Sequence, residues 1–254
     1  LYRNQWSGFE GNPTSVVFGI DAPVEFLRGG LGLSVLATDE LGFENTFAAK
    51  LSYAFRFNVG QGNLAIGADL GLVQKSLGGD FRFIDSDDPL IPTENQSGSV
   101  APDLGAGVYY NSDKFYAGIS ASHLTEGEVD YGDFSTKLAR HHYLMAGYRI
   151  EFSPSMSLTP SVFVKNVADQ TQVDINANMD FNNRFWAGAS YRIDDAFVLM
   201  AGLNIMPNLR LGYSYDMTTS EIKNYSSGSH EIMLGYCYKI KKKVTPIIRN
   251  VRFM

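Results

Sequence analysis

From Val173 onward the chain alternates with a two-residue period. Val173, Ile175, Ala177, Met179 and Phe181 interleave with Asp174, Asn176, Asn178 and Asp180. After Asn182-Asn183, the residues Phe185, Ala187, Ala189, Tyr191 and Ile193 interleave with Arg184, Trp186, Gly188, Ser190 and Arg192. The rhythm repeats over 197–205, 209–217 and 232–240. Successive side chains of a strand point to opposite faces. Each segment is therefore a strand with one apolar, ring-bearing face and one face of charge, amide or glycine. A half-buried soluble sheet also alternates, and ordinary β-core packing is the bland reading of the rings. Here, however, the apolar face would carry almost all the sheet's aromatic rings. The other face holds Arg, Asp, Asn and Gly, which suits a polar lumen. Segments of about 9–11 residues with this period are what a membrane-spanning β-barrel requires.

The first half carries the same pattern. Residues 1–6 read as the surviving end of a first strand, followed by 15–26 (interrupted by Pro23), 30–38, and a strand marked by Phe47, Ala49, Leu51, Tyr53 and Phe55. Then come 64–72, 104–111, 115–123, 140–152 and 158–167. With the five later segments this predicts an all-β, antiparallel transmembrane β-barrel of about fourteen strands, in keeping with the even strand count of bacterial barrels. Tight turns fall near 58–62, 112–114, 153–156, 182–183 and 207–208. Longer links fall near 38–46, 76–103, 124–138 and 218–229. In outer-membrane barrels the short turns are periplasmic and the longer loops extracellular. The expected division is a barrel over 1–240 and a periplasmic C-terminal tail over 241–254. The chain opens at Leu1 without a leader, so an export signal is an expectation drawn from the barrel pattern.

Composition narrows the alternatives. The chain has 254 residues, 44% of them hydrophobic, and a mean hydropathy of −0.11. No stretch approaches the roughly 18 uninterrupted apolar residues of a transmembrane helix. The 25 glycines, 14 tyrosines and 17 phenylalanines fit a curved sheet with interfacial aromatic girdles. Net charge is −6, with acids and bases interleaved, so nucleic acid is not an expected partner. Cys237 stands alone, forms no internal disulfide, and reads as a small buried side chain.

No nucleophile elbow, P-loop, HExxH or zinc spacing occurs. His141 and His142 are adjacent on a strand and point to opposite faces, so they cannot chelate one metal. The acidic loops, with Asp85, Asp87, Asp88 and Glu94 in one and Glu126, Glu128, Asp130 and Asp133 in the other, lack calcium-loop spacing and read as solvated. No catalytic residue, metal or cofactor is expected. The register instead assigns a lumen-facing set. Its cations are Lys50, Arg56, Lys165, Arg184, Arg192 and Arg210. Its acids are Asp69, Asp174, Asp180, Asp216 and Glu231, and Trp186 accompanies them. These groups are expected to neutralise one another across neighbouring strands. The tail offers Lys241, Lys242, Lys243, Arg249 and Arg252 as charge and Ile247, Ile248, Val251 and Phe253 as apolar anchors for a periplasmic partner.

Several ordered motifs carry a family resemblance. They are Tyr2-Arg3-Asn4-Gln5-Trp6-Ser7-Gly8, Gly30-Leu31-Gly32-Leu33-Ser34-Val35, Gly105-Ala106-Gly107-Val108-Tyr109-Tyr110 and Phe115-Tyr116-Ala117-Gly118-Ile119-Ser120. Later come Asn183-Arg184-Phe185-Trp186-Ala187-Gly188, Leu211-Gly212-Tyr213-Ser214-Tyr215-Asp216 and, densest of all, Ser226-Ser227-Gly228-Ser229-His230-Glu231-Ile232. The chain resembles, over essentially its whole length, the PorP/SprF outer-membrane proteins of the Bacteroidetes type IX secretion and gliding system. The resemblance implies a non-enzymatic barrel in the bacterial outer membrane that assists export or surface anchoring of cargo such as gliding adhesins. Its implied partners are other type IX secretion components, periplasmic and outer-membrane, and the C-terminal signal domain of secreted cargo. The lipid bilayer surrounds it. The alternative is a porin-like or hydrophobic-solute channel.

Overall fold

The computed structural model describes residues 1–8, 10–40, 42–78, 96–132 and 134–238. Fourteen antiparallel strands form a closed barrel in which every wall pairing is between chain neighbours, and the last strand returns to the first. We number the wall strands β1 (Tyr2–Asn4), β2 (Thr14–Val24), β3 (Gly29–Glu40), β4 (Glu44–Val59), β5 (Gly62–Leu77), β6 (Gln96–Asn111) and β7 (Phe115–Ser122). They continue as β8 (His141–Tyr148, extended by Ile150–Ser153), β9 (Met156–Val167), β10 (Gln170–Phe181), β11 (Phe185–Arg192), β12 (Ala196–Met206), β13 (Leu209–Thr218) and β14 (Ser229–Tyr236). Closure is through β1, whose Tyr2, Arg3 and Asn4 lie opposite Ile232, Glu231 and His230 of β14. Closing the sheet removes the unpaired edges that an open sheet would present inside a membrane.

The alternation read from the sequence is the alternation of the wall. Large apolar side chains such as Phe18, Leu70, Ile119, Leu199 and Leu234 stand exposed on the outside, Leu70 at 62%. On a membrane barrel that face meets acyl chains rather than water. Tight turns are built as the chemistry requires. Asn182 and Asn183 take φ values of +54 and +51, the paired positive φ of a primed turn closed by the Arg184 N–H on the Phe181 carbonyl at 2.9 Å, with Arg184 as the third loop residue between the paired Phe181 and Phe185.

The long-loop end differs from the sequence expectation in three places. The link expected over 38–46 is mostly wall: Thr38 pairs with Thr46, Asp39 with Asn45 and Glu40 with Glu44. The link expected over 76–103 gives up its second part to β6, which begins at Gln96. Residues 79–95 lie outside the described residues. The reason is common to both. Beyond the bilayer the outer face need not be apolar, so the hydropathy rhythm fades while the backbone ladder continues. The third place is the link expected over 124–138, where Glu128–Asp130 and Ser135–Lys137 pair as a small hairpin. Its Val129 is fully buried with Leu138 against Ala48, Val73 and Ala101, and Leu36 and Tyr131 pack on this cluster. The loop is therefore packed through Val129 and Leu138, while Glu126, Glu128 and Asp130 stay exposed and Asp133 lies outside the described residues. Glu126 pairs with Arg140 at 3.3 Å, Glu128 accepts from Ser135, and Asp130 Oδ1 accepts from the Gly132 N–H at 2.7 Å.

At the other end, β14 stops at Tyr236, short of the expected Ile240. Cys237 lies beyond the ladder and is exposed, not buried, although its N–H still donates to the Asn208 carbonyl at 2.8 Å.

Candidate functional site

Among the described residues the inner face of the wall carries two charge clusters, besides the isolated Lys75–Glu44 pair. The first joins β1, β10, β11, β13 and β14. Asp216, only 3% exposed, accepts from Arg3 Nη2 at 2.8 Å and from Arg192 Nη1 at 3.3 Å. Arg192 also reaches Asp174 through Nε at 3.3 Å and Asp195 through Nη1 at 3.3 Å. Arg3 closes the lattice on Glu231 at 3.3 Å. The register sets two of these meetings directly, Asp174 opposite Arg192 and Arg3 opposite Glu231, and Asp216 is reached by both arginines across the stagger between strands. Each guanidinium faces several carboxylates, a geometry its fork of donors satisfies well.

The second cluster lies across β4, β5, β6 and β7. Lys50 Nζ is 2.7 Å from Asp103 Oδ2 and 3.7 Å from Asp69 Oδ1. Asp103 has no exposed surface, and its Oδ1 is 3.0 Å from His123 Nδ1. The His123 ring meets the His141 ring edge-on at 5.3 Å between centroids. A carboxylate buried this deeply is stable only when paired, and Lys50 is the pairing cation. On the long-loop side this cluster lies next to the hairpin-covered residues Ala48, Val73 and Ala101, two positions from Lys50 and Asp103 and four from Asp69.

Trp186 fills part of the opposite wall. A Cβ built on Gly202 would lie 2.3 Å from Trp186 Cε2, and one on Gly212 would lie 2.9 Å from Cζ2. The indole thus lies flat across two neighbouring strands, and glycine at both positions is what admits it. Toward the short-turn end, β3–β7 leave a cavity of about 450 Å³. Its wall is built largely of small residues, Gly30, Gly32, Ser52, Ala54, Gly67 and Ser120, with Arg56 and Tyr109 among the larger ones.

The remaining sequence-assigned residues are scattered. Arg56 lines that cavity. Lys165 lies between Tyr143 and Gln172 in the ladder. Asp180 accepts from the Asn183 N–H at 3.1 Å and braces the turn. Arg210 Nε donates to Asn204 Oδ1 at 3.2 Å. Arg184 sits in the exposed turn before β11, its guanidinium carbon 5.5 Å from the Phe185 ring centroid, outside both clusters. The tail residues Lys241, Lys242, Lys243, Ile247, Ile248, Arg249, Val251, Arg252 and Phe253 lie outside the described residues. Sequence reasoning missed Arg3, Asp103, Asp195 and His123. Asp103 fell inside an expected loop, and Arg3 lay on a strand of only a few residues.

A search among curated proteins finds no match to this chain. Among solved structures, a multiply substituted mutant of the Rh. blastica porin aligns over 92% of this chain and 96% of that chain, with a TM-score of 0.40 and 9% identity. The sequence profile of the family described as "Type IX secretion system membrane protein PorP/SprF" matches residues 1–236, the whole span of the wall from β1 through β14. The chain therefore belongs to the PorP/SprF family of type IX secretion system membrane proteins.

Proposed function

We propose that this barrel is a non-enzymatic outer-membrane component of type IX secretion that assists export or surface anchoring of cargo, such as gliding adhesins, through protein–protein contacts. The observation that carries the reading is membership of the secretion family along the entire wall. The inner face supports it in kind. Its most buried charges, Asp103 and Asp216, are spent on cations in two lattices, which is how a barrel braces itself rather than how it presents a reactive group. Lys50, Arg56, Asp69, Lys165, Asp174, Asp180, Trp186, Arg192, Arg210, Asp216 and Glu231 then act as lumenal filling.

In this reading the short turns and the C-terminus are periplasmic. The partners are other type IX components and the C-terminal signal domain of the cargo. The tail beyond the wall is the contact: Lys241 to Lys243 supply charge, and Ile247, Ile248, Val251 and Phe253 supply apolar surface. A segment this short cannot bury those groups against itself. A partner that covered one large apolar side chain would contribute about 1.5–3 kcal/mol. The test is a chain lacking residues 244–254. Barrel formation, read from heat-modifiable gel mobility, is expected to persist, while co-purification of periplasmic partners and export of type IX cargo fall. Undiminished partner recovery and export by the shortened chain would refute the tail as the contact. The porin-like alternative predicts steady conductance from the unaltered barrel in planar bilayers.

A further inference from the structure

The hairpin between β7 and β8 is the one buried apolar cluster of the described residues, and it lies inside the barrel rather than between sheets. Ala48, Val73 and Ala101 are on the inner parity of β4, β5 and β6, in register with one another across the wall. Val129 inserts onto them with no exposed surface. A Cβ built on Gly98 would lie 2.4 Å from Val129 Cγ1 and 3.0 Å from Tyr131 Cε1, so the hairpin rests directly on bare backbone there. The Asp130 N–H donates to Ser99 Oγ at 2.9 Å, and Thr125 Oγ1 donates to the Pro102 carbonyl at 3.0 Å. Immediately below are Lys50, Asp103 and His123, and beyond them the small-residue cavity opens toward the short turns.

We propose that this hairpin is a removable plug, and that the barrel beneath it passes small hydrated ions once the plug is out. The attachment is of the kind that can be undone without dismantling the wall. It consists of a few apolar side chains and isolated hydrogen bonds, whereas β6 and β7 keep their own ladder pairing. Ser122 and His141 are direct ladder partners, so the chain leaves and re-enters the wall at adjacent points and the whole insertion can move as a unit. The bore below is mixed in charge and lined in part by glycine, alanine and serine, which hold it wide on the β3–β7 side. This inference stands independently of the secretion role, because it concerns only what the isolated barrel does.

The test uses the full chain with Cys237→Ser in planar bilayers. Three forms are compared: the parent, a chain in which residues 124–140 are replaced by a short Gly-Ser turn, and Val129→Asp, which places a carboxylate into the apolar seat. The parent is expected to be closed or nearly so. Both altered forms are expected to raise single-channel conductance severalfold, since a polar barrel interior freed of its plug is a water-filled path. If the folded hairpin-less barrel conducts no more than the parent, or if the parent already conducts fully, the proposal is overturned. Should the hairpin-less form not assemble by gel mobility, Val129→Asp decides in the same way. A labelling readout stands apart from conductance. Val129→Cys is expected to resist a membrane-impermeant maleimide that readily labels Tyr225→Cys, whose native side chain is exposed. Equal labelling of the two would also overturn the plug.

Discussion

The two arcs of this barrel fill the same lumen by different means. Strands β4, β5 and β6 each run 16 residues, about 50 Å of strand at roughly 3.3 Å per residue. They overshoot the bilayer, carry small inner side chains at their short-turn half, and take a hairpin from a loop to cover the rest. Strands β10 to β14 run 8 to 12 residues. They use their own long side chains instead: the Arg3–Asp216–Arg192–Asp174 lattice, and an indole laid over two glycines. A barrel wall of fixed curvature leaves a fixed volume, and the sequence must supply matter for it either from the strands or from a loop. The loop comes in over the long-loop half, where the inner positions are Ala48, Val73, Gly98 and Ala101 and supply little bulk, while the small-residue short-turn half is left as a cavity.

The largest expected effect comes from breaking the self-filled arc at its centre. Arg192→Met leaves Asp174 and Asp195 without their cation and the buried Asp216 with Arg3 alone, so three carboxylates lose a counter-charge at once. Such a loss costs about 3–5 kcal/mol. Equilibrium unfolding in detergent–urea mixtures is expected to show it. In the loop-filled arc, Lys50→Met strips Asp103 of its cation, and a comparable loss is expected. A much smaller loss at Lys50 would mean that the hairpin, not the ion cluster, holds that arc.

A second comparison asks whether both arcs meet lipid alike. Leu70→Arg on β5 and Leu199→Arg on β12 each place a cation on the outer apolar band, where the cost at the midplane is about 2–4 kcal/mol. Both are expected to impair assembly into vesicles, scored by gel mobility. Tolerance of Leu199→Arg alone would show that the β12 surface is covered by protein rather than lipid.

The third effect is smaller and local. Gly202→Ala drives a methyl into Trp186, an overpacking that costs about 1–3 kcal/mol. In a Trp186→Ala background the same change is expected to cost almost nothing, a coupling that a double-mutant cycle reads directly. Additive effects would mean that the indole does not lie on the glycine.

Most of the wall was legible in the sequence because lipid on one side and a polar lumen on the other impose opposite chemistry on successive residues. That holds from Val173 to Tyr236 almost without interruption. It fails where the constraint stops. Around Thr38, Thr46 and residues 96–99 the outward positions are no longer consistently apolar, so the hydropathy rhythm fades and only the ladder shows that the chain is extended. The inner clusters were half legible for a related reason. Parity places Asp174, Arg192 and Asp216 on one face, but it does not give the stagger between strands that brings Arg3 to Asp216. Nor could it find Asp103, once its strand was read as loop. The hairpin is the clearest case: Val129 between two carboxylates reads as a solvated loop, because nothing local tells that the wall beneath it lacks side chains. Ser190 carries the same lesson at the scale of one residue. Its inner parity suggests tolerance of a larger polar group, yet it is 6% exposed, so the lumen beside Val198 is already full.

The smallest expected effect tests how far parity can be trusted at a strand end. Alternation puts Arg184 on the inner face with Arg192, since both are even-numbered neighbours of the same strand. In the structure the strand begins only at Phe185, after a turn in which Asn182 and Asn183 both have positive φ. A residue in such a turn no longer obeys the two-residue period, and the Arg184 side chain swings onto the Phe185 ring. An exposed guanidinium over a phenyl face is worth about 0.5–1 kcal/mol. Arg184→Ala is therefore expected to change unfolding by less than about 1 kcal/mol, and Phe185→Leu should remove most of that difference. Arg192→Ala, eight residues on, should cost several times more. If Arg184→Ala instead proved as costly as Arg192→Ala, the arginine would have to reach an inner carboxylate such as Asp180, and the boundary between turn and wall would move back by at least one residue.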